Sequence, residues 1–351
     1  MGTIIAFLLL SFLVFFHELG HFLIARLVGV KVEVFSIGFG KKLICKKYGD
    51  TNYCISAIPL GGYVQMKGQD DSDPLKKNFD DDSYNSKTPW ERIAILLGGP
   101  FFNILLAFFI YNFIAINGWK KLAPEIGTIL PNSSAVNVLK KGDLILKIDN
   151  YKIKSWDDIK MAVDNSVSTL HLKIKRGNKI LNLNLTPKIS ETKNIFGEKI
   201  KRKLIGISPS GKIITIHYSF LEGVKIAFNE TIDKSKFIFQ GFEKLITGVI
   251  GLDNLSGPVT IVKVTSDATT YGLSAVLLLT ALISINLGIL NLLPIPALDG
   301  GHIMFNLYEG ITQKEVNENI MINLTIGGWL ILGSLMILGF YNDLTRIFGG
   351  S

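Results

Sequence analysis

A chain of 351 residues has room for two or three folding units. Its hydrophobic residues, 48% of the total, gather in four long segments, which argues against a wholly soluble globule. The formal charge of +8 comes mostly from lysine; no basic run interleaved with aromatics and no recognition-helix pattern is present, so nucleic acid is not expected as a partner.

The first predicted element is a helix over residues 3–28. At about 1.5 Å per residue it is ~39 Å long, enough for a hydrocarbon core of about 30 Å. No positive start precedes its apolar run and no small-residue cleavage site follows, so it is expected to stay as a membrane helix. Residues 3–16 carry no charge, and then His17, Glu18 and His21 interrupt the run. Beyond the helix, Arg26, Lys31, Lys41, Lys42, Lys46 and Lys47 stand against a lone Glu33. That bias puts this loop in the cytoplasm and the amino terminus outside.

Residues 32–66 alternate like strands and turn around Tyr48-Gly49-Asp50, with Gly38, Gly40, Gly61 and Gly62 free to adopt unusual dihedrals. Cys45 and Cys54 are too few for a disulfide framework and lack zinc-knuckle spacing, so both are expected to be reduced and inert. Residues 68–88, with Asp70, Asp71, Asp73 and Asp80 to Asp82, read as a solvated loop without the ligand spacing of a calcium site. The second span, 93–116, contains Gly98 and Gly99 for close helix approach, Pro100, and Asn103, a costly group in lipid without a partner.

Residues 122–188 leave the membrane as a small module: a strand, a turn, a short helix, then a hairpin around Arg176-Gly177-Asn178. His171 reads there as a strand residue. Residues 189–271 read as a linker with two weakly amphipathic helices, near 219–232 and 236–246. The third and fourth spans are 272–293 and 322–341, so residues 1–118 and 272–351 form two halves of a membrane core. Four spans put both termini and the module outside.

His17 and His21, four apart, share one helix face and can offer nitrogens to one tetrahedral ion, while Glu18 is placed to move a proton. The rival readings are a polar patch pinning helices, or a proton relay. A catalytic zinc site needs a third protein ligand. His171 and His217 lie in the external segment, which leaves Asp299 or His302 in "NLLPIPALDGGH", where Pro294 and Pro296 break the helix. The alternative for Asp299 is a cap on the helix that follows.

Together, "HELGH" at 17–21, "GGPFFN" at 98–103 and "NLLPIPALDGGH" at 291–302 resemble the site-2 protease family, in particular its bacterial intramembrane zinc metalloproteases of the RseP and RasP type. The likeness spans nearly the whole chain. It implies a polytopic α-helical membrane protein with about four transmembrane helices, a membrane-associated β element and a PDZ-like α/β domain over 122–188. One zinc ion is implied, held by His17, His21 and Asp299, with Glu18 as general base. Asn103, Asn286 and Asn291 are implied to lie near substrate, and Gly38 and Gly40 at a β edge that pairs with it. The implied partners are single-pass transmembrane proteins, cut in or near their spans after an earlier ectodomain cut. Anti-sigma factors and remnant signal peptides are examples. The lipid bilayer is the other implied partner, and the PDZ-like domain would meet peptides or ectodomains. The implied location is a bacterial inner membrane, with the active site towards the cytoplasm. Some members carry two tandem PDZ domains; this chain has room for one.

Overall fold

The computed structural model describes residues 2–69 and 78–349. Asp70, Asp71 and Asp73 of the predicted acidic loop lie outside the described residues. The chain forms two compact units, Met1–Asn112 with Val224–Ser351, and Phe113–Gly223.

The first unit opens with α1 (Gly2–Leu27), β1 (Val32–Tyr48), β2 (Thr51–Met66) and α2 (Pro89–Asn117), whose last residues belong to the second unit. The second unit holds β3 (Trp119–Leu122), β4 (Ile126–Ile129), β5 (Leu144–Ile148), β6 (Tyr151–Lys152), α3 (Trp156–Asp164), β7 (Leu170–Arg176), β8 (Lys179–Leu185), β9 (Lys188–Lys193), β10 (Lys199–Leu204), β11 (Ile207–Pro209) and β12 (Ile213–Ile216). The first unit resumes with α4 (Phe220–Ile246), α5 (Pro258–Thr270), α6 (Leu273–Asn291), α7 (Asp299–Thr312) and α8 (Glu318–Phe348).

Helices α1, α2, α6 and α8 are each long and apolar enough to cross a membrane, and they coincide with the four predicted spans. Helix α2 starts earlier than its apolar run because Thr88 and Glu91 form a reciprocal cap. The Thr88 backbone N–H donates to Glu91 Oε2 at 2.8 Å, and Glu91 N–H donates to Thr88 Oγ1 at 3.3 Å. At the other end of the unit, the carboxylate of Asp343 on α8 accepts from Gly257 N, Thr260 N and Thr260 Oγ1, capping α5 from outside its own sequence.

Strands β1 and β2 are longer than one straight pair allows. Residues 34–37 are partnered on both sides, by 62–65 running antiparallel and by 52–55 rising in step. Residues 42–48 then pair with 51–56 alone. The chain therefore bends between Ile37 and Lys42, and Gly38 (φ 89) and Gly40 (φ 81) supply the left-handed backbone that the bend requires. The inner part of the sheet packs Val32, Phe35 and Met66 against Phe22 and Ala25 of α1.

Three expectations change here. Cys45 and Cys54 are joined in a disulfide, because the register sets them directly opposite each other with their Cα atoms 4.2 Å apart. The two amphipathic stretches near 219–232 and 236–246 are one helix, α4, since no glycine or proline lies between them to break it. Residues 189–216, read as the start of a linker, hold the strands β9 to β12 but for Lys188: β9 pairs with β10, β11 with β4 and β12 with β3. Asp80 and Asp82 instead engage Lys67, at 2.8 Å and 2.5 Å, which holds both carboxyls below their usual pKa and raises that of the lysine.

In the second unit a four-stranded sheet, ordered β6-β5-β7-β8, covers a core of Ile126, Leu139, Ile145, Ile148, Leu170, Leu172 and Ile174. The hairpin turns at Gly177-Asn178, as its spacing predicts. His171 is a strand residue whose Nδ1 lies 2.8 Å from Asn184 Oδ1. Asp143, whose side chain is fully buried, accepts two 2.8 Å bonds from the Arg176 guanidinium and one from Lys140 N–H.

Candidate metal centre

Helix α1 carries His17 and His21 on one face, and glycines bring α2 against that face. A Cβ on Gly20 would sit 2.1 Å from the Gly98 carbonyl oxygen, and one on Gly98 would sit 2.6 Å from that of Gly20. The two backbones touch, which larger residues forbid. A Cβ on Gly99 would come within 2.4 Å of His21 Nε2 and 2.8 Å of His17 Nε2, so this glycine leaves the space that the imidazoles fill.

The third group arrives from α7. After α6 ends, the chain turns through Leu293–Leu298, where Ile295 N–H bonds Leu293 O and Leu298 N–H bonds Ile295 O. The first turn of α7 folds back onto this segment. A Cβ on Gly300 would meet Leu293 O at 2.2 Å, and one on Gly301 would meet Ile295 O at 2.3 Å. The Gly300-Gly301 pair is therefore what lets Asp299 stand at the start of the helix beside the turn. Leu298 is the N-cap and Asp299 the first helical residue, with its carboxylate directed at the two imidazoles. That removes the capping alternative.

Asp299 Oδ2 lies 3.2 Å from His17 Nε2 and 3.5 Å from His21 Nε2, and the two Nε2 atoms are 3.2 Å apart. Ligands bonded to zinc at about 2.0–2.1 Å in a tetrahedron stand ~3.3 Å from one another, so this triangle has the size of one tetrahedral face. Asp299 Oδ2 is buried without a hydrogen-bond donor, an arrangement that a cation resolves and an empty pocket does not. The tautomer of His21 fits as well: its Nδ1 is 2.8 Å from the Ile95 carbonyl, so the proton sits there and Nε2 is free to ligate. Among the described residues this is the one His/Cys/Asp/Glu group able to hold a metal, and it can coordinate a single zinc ion.

Other expected residues divide. Glu18, on the neighbouring face of α1, lies against β2, where a Cβ on Gly62 would be 3.5 Å from Glu18 Cγ. Asn103 is fully buried with its amide 3.1 Å from His17 Nδ1, and its main-chain carbonyl accepts from Ser284 Oγ of α6 at 2.7 Å. Asn286 is half-buried on α6, while Asn291 donates to Leu287 O of its own helix at 3.0 Å; among the described residues neither bonds to the three ligands. Gly38 and Gly40 lie at the bend of β1. His302 is exposed one turn along α7, its ring edge-on to Phe305, outside the ligand group.

Sequence reasoning did not single out Gly20, Ile95 or Ser284. Gly20 had a signal, the small residue inside H-E-x-x-H opposite a Gly-Gly pair. Ser284 had a weaker one, a hydroxyl within an apolar helix. Ile95 acts through its main chain and had none.

The family model for peptidase family M50 matches residues 5–335. A Campylobacter jejuni protein named as a zinc metalloprotease is 49% identical over 343 residues, covering 97% of this chain and 93% of that relative. A Helicobacter pylori protein of the same name is 43% identical over 348 residues, covering 98% and 99%. The regulator of sigma-W protease RasP from Bacillus subtilis is 30% identical over 427 residues, covering 99% of each.

Proposed function

The chain belongs to peptidase family M50 and is a zinc metalloendopeptidase of the site-2 protease type, and from that premise we propose that it cuts single-span membrane proteins in or near their transmembrane segments, after another protease has removed the ectodomain. The observation that carries this reading is the ligand triangle itself. Its three donor atoms lie 3.2, 3.2 and 3.5 Å apart and come from two helices of a multi-pass protein, the second aimed by a proline-framed turn.

Zinc held by His17, His21 and Asp299 would supply Lewis-acid polarisation of the scissile carbonyl and would acidify the attacking water. Glu18 takes the proton of the attacking water and delivers it to the departing amide nitrogen. A substrate helix must first unwind, since its amides are already hydrogen-bonded. Residues 62–66 offer the unwound strand a partner. They are paired on one side only among the described residues, and Glu18 packs over Gly62. Strand addition along this edge returns the lost bonds and lays the substrate beside the base. Gly38 and Gly40 contribute the bend that shapes the sheet, and Asn286 and Asn291 stand on α6 as further contacts for the substrate backbone.

For orientation, the charge bias of residues 26–47 supports a cytoplasmic hairpin and active site in a bacterial inner membrane, with both termini outside. The Cys45–Cys54 bond argues the other way, because cytosolic thiols are kept reduced. The charges weigh more: six cations fix a loop's side, whereas register alone keeps two opposed cysteines adjacent in either redox state. We assign residues 122–188 as a PDZ-like module that meets ectodomains or their freshly cut ends. Anti-sigma factors and remnant signal peptides both fit as substrates.

The purified full chain should contain one zinc per molecule and cleave a single-span reporter in detergent or liposomes, and a chelator should abolish the cleavage. Glu18→Gln should keep the zinc and lose cleavage by about 100-fold or more. Asp299→Ala should lose both. Glu18→Gln cutting at the wild-type rate would end the base assignment, and unchanged zinc in Asp299→Ala would end the ligand assignment.

A further inference from the structure

We infer that Asn103 is the positioning residue that fixes the His17 ring for metal binding, its amide oxygen accepting the Nδ1–H of that imidazole. The inference rests on the zinc reading above and changes what Asn103 is for: the resemblance sets it near substrate, and the geometry sets it behind a ligand. An imidazole offers a lone pair at one nitrogen only while the proton occupies the other. His17 turns Nε2 into the ligand triangle, 3.2 Å from both Asp299 Oδ2 and His21 Nε2. Its Nδ1 must then carry the proton and find an acceptor.

The group facing Nδ1 is the Asn103 amide, at 3.1 Å. Its nitrogen is placed toward the ring, while its oxygen is buried without a hydrogen-bond partner. A half-turn of the amide exchanges the two atoms and moves nothing else. The oxygen then receives the ring proton, and Nε2 is left with the lone pair that zinc needs.

The surroundings hold the amide in this place. Asn103 has no exposed surface, Ser284 Oγ ties its main-chain carbonyl at 2.7 Å, and a Cβ on Gly288 would lie 3.4 Å from the Asn103 Cβ. The two histidines are thus oriented by different means. His21 relies on the Ile95 carbonyl, 2.8 Å from its Nδ1, which no substitution removes. His17 relies on a side chain, which can be changed.

The test uses the full-length chain in detergent, with zinc affinity measured by chelator competition and the ligand field by visible absorption of the cobalt-substituted protein. Asn103→Leu keeps the size but offers no acceptor. It should weaken zinc binding about 10–100-fold and alter the cobalt bands. Asn103→Asp keeps the shape and, ionised beside the zinc-bound imidazole, can only accept, so it should hold zinc within about threefold of wild type. Asn103→Leu binding zinc as tightly as wild type, or Asn103→Asp losing it as Leu does, overturns the inference. Should the Leu variant not fold, the Asp variant decides alone, because a donating amide could not be replaced by a carboxylate. Wild type that takes up no zinc overturns the metalloprotease reading and this role with it. Zinc-loaded wild type beside an indifferent Leu variant overturns only the role of Asn103.

Discussion

A methyl group on Gly99 would stand 2.4 Å from His21 Nε2 and 2.7 Å from His17 Cε1, nearer than any real side-chain carbon approaches such atoms. Both rings are held from behind, by Ile95 and Asn103, so neither can give way without leaving the ligand triangle. Gly99→Ala should therefore reduce zinc affinity by at least about tenfold, in the range found for groups that orient metal ligands. Gly327→Ala, where the added carbon meets nothing within 4 Å, should leave it unchanged. Equal affinities in the two variants would show that the rings have more room than their packing allows. Much of this site was legible in the sequence. Four-residue spacing puts two histidines on one face whatever surrounds them. Asp299 and His302 could not be separated, because the choice depends on how a turn bounded by two prolines aims the first residue of the next helix. The acceptor for His21 was invisible, since a main-chain carbonyl looks the same in every sequence.

Among the elements, the hairpin differs most from its sequence reading. Alternation over 32–66 identified strands and their turn, but it could not reveal that residues 34–37 would be paired twice. Pairing on two sides is a tertiary event, and the period of two is the same for a central strand and an edge. The cysteines were missed for the same reason, since their opposition follows from register and not from their spacing. Their chemistry tests the proposed orientation. In cells treated with a membrane-permeant reductant to open the Cys45–Cys54 bond, a membrane-impermeant maleimide should label the two cysteines only after permeabilisation. Labelling of intact reduced cells would place the hairpin on the outer side. Helix α4 shows the converse limit: a polar stretch, Asp233-Lys234-Ser235, looks like a gap between helices yet contains no residue that stops one.

At the scale of the whole molecule, the second unit has a core of its own and an ion pair between the buried Asp143 and the half-buried Arg176. Removing Asp143 takes away the acceptor of the Arg176 guanidinium and of Lys140 N–H, which costs about 1–3 kcal/mol because Arg176 is partly in water. Asp143→Ala should speed hydrogen exchange across residues 126–185 in the full chain and leave α1 at its wild-type rate. Equal acceleration in α1 would mean that the two units unfold as one.

The ligands also have an order in time. His17 and His21 leave the ribosome long before Asp299. A nascent polypeptide holds two of three ligands while all the residues between His21 and Asp299 are made, so the complete cradle for the ion exists only once the third span and its turn have followed. Proteolytic competence is thereby withheld from every copy that has not yet reached Asp299, and a destructive active site is armed late.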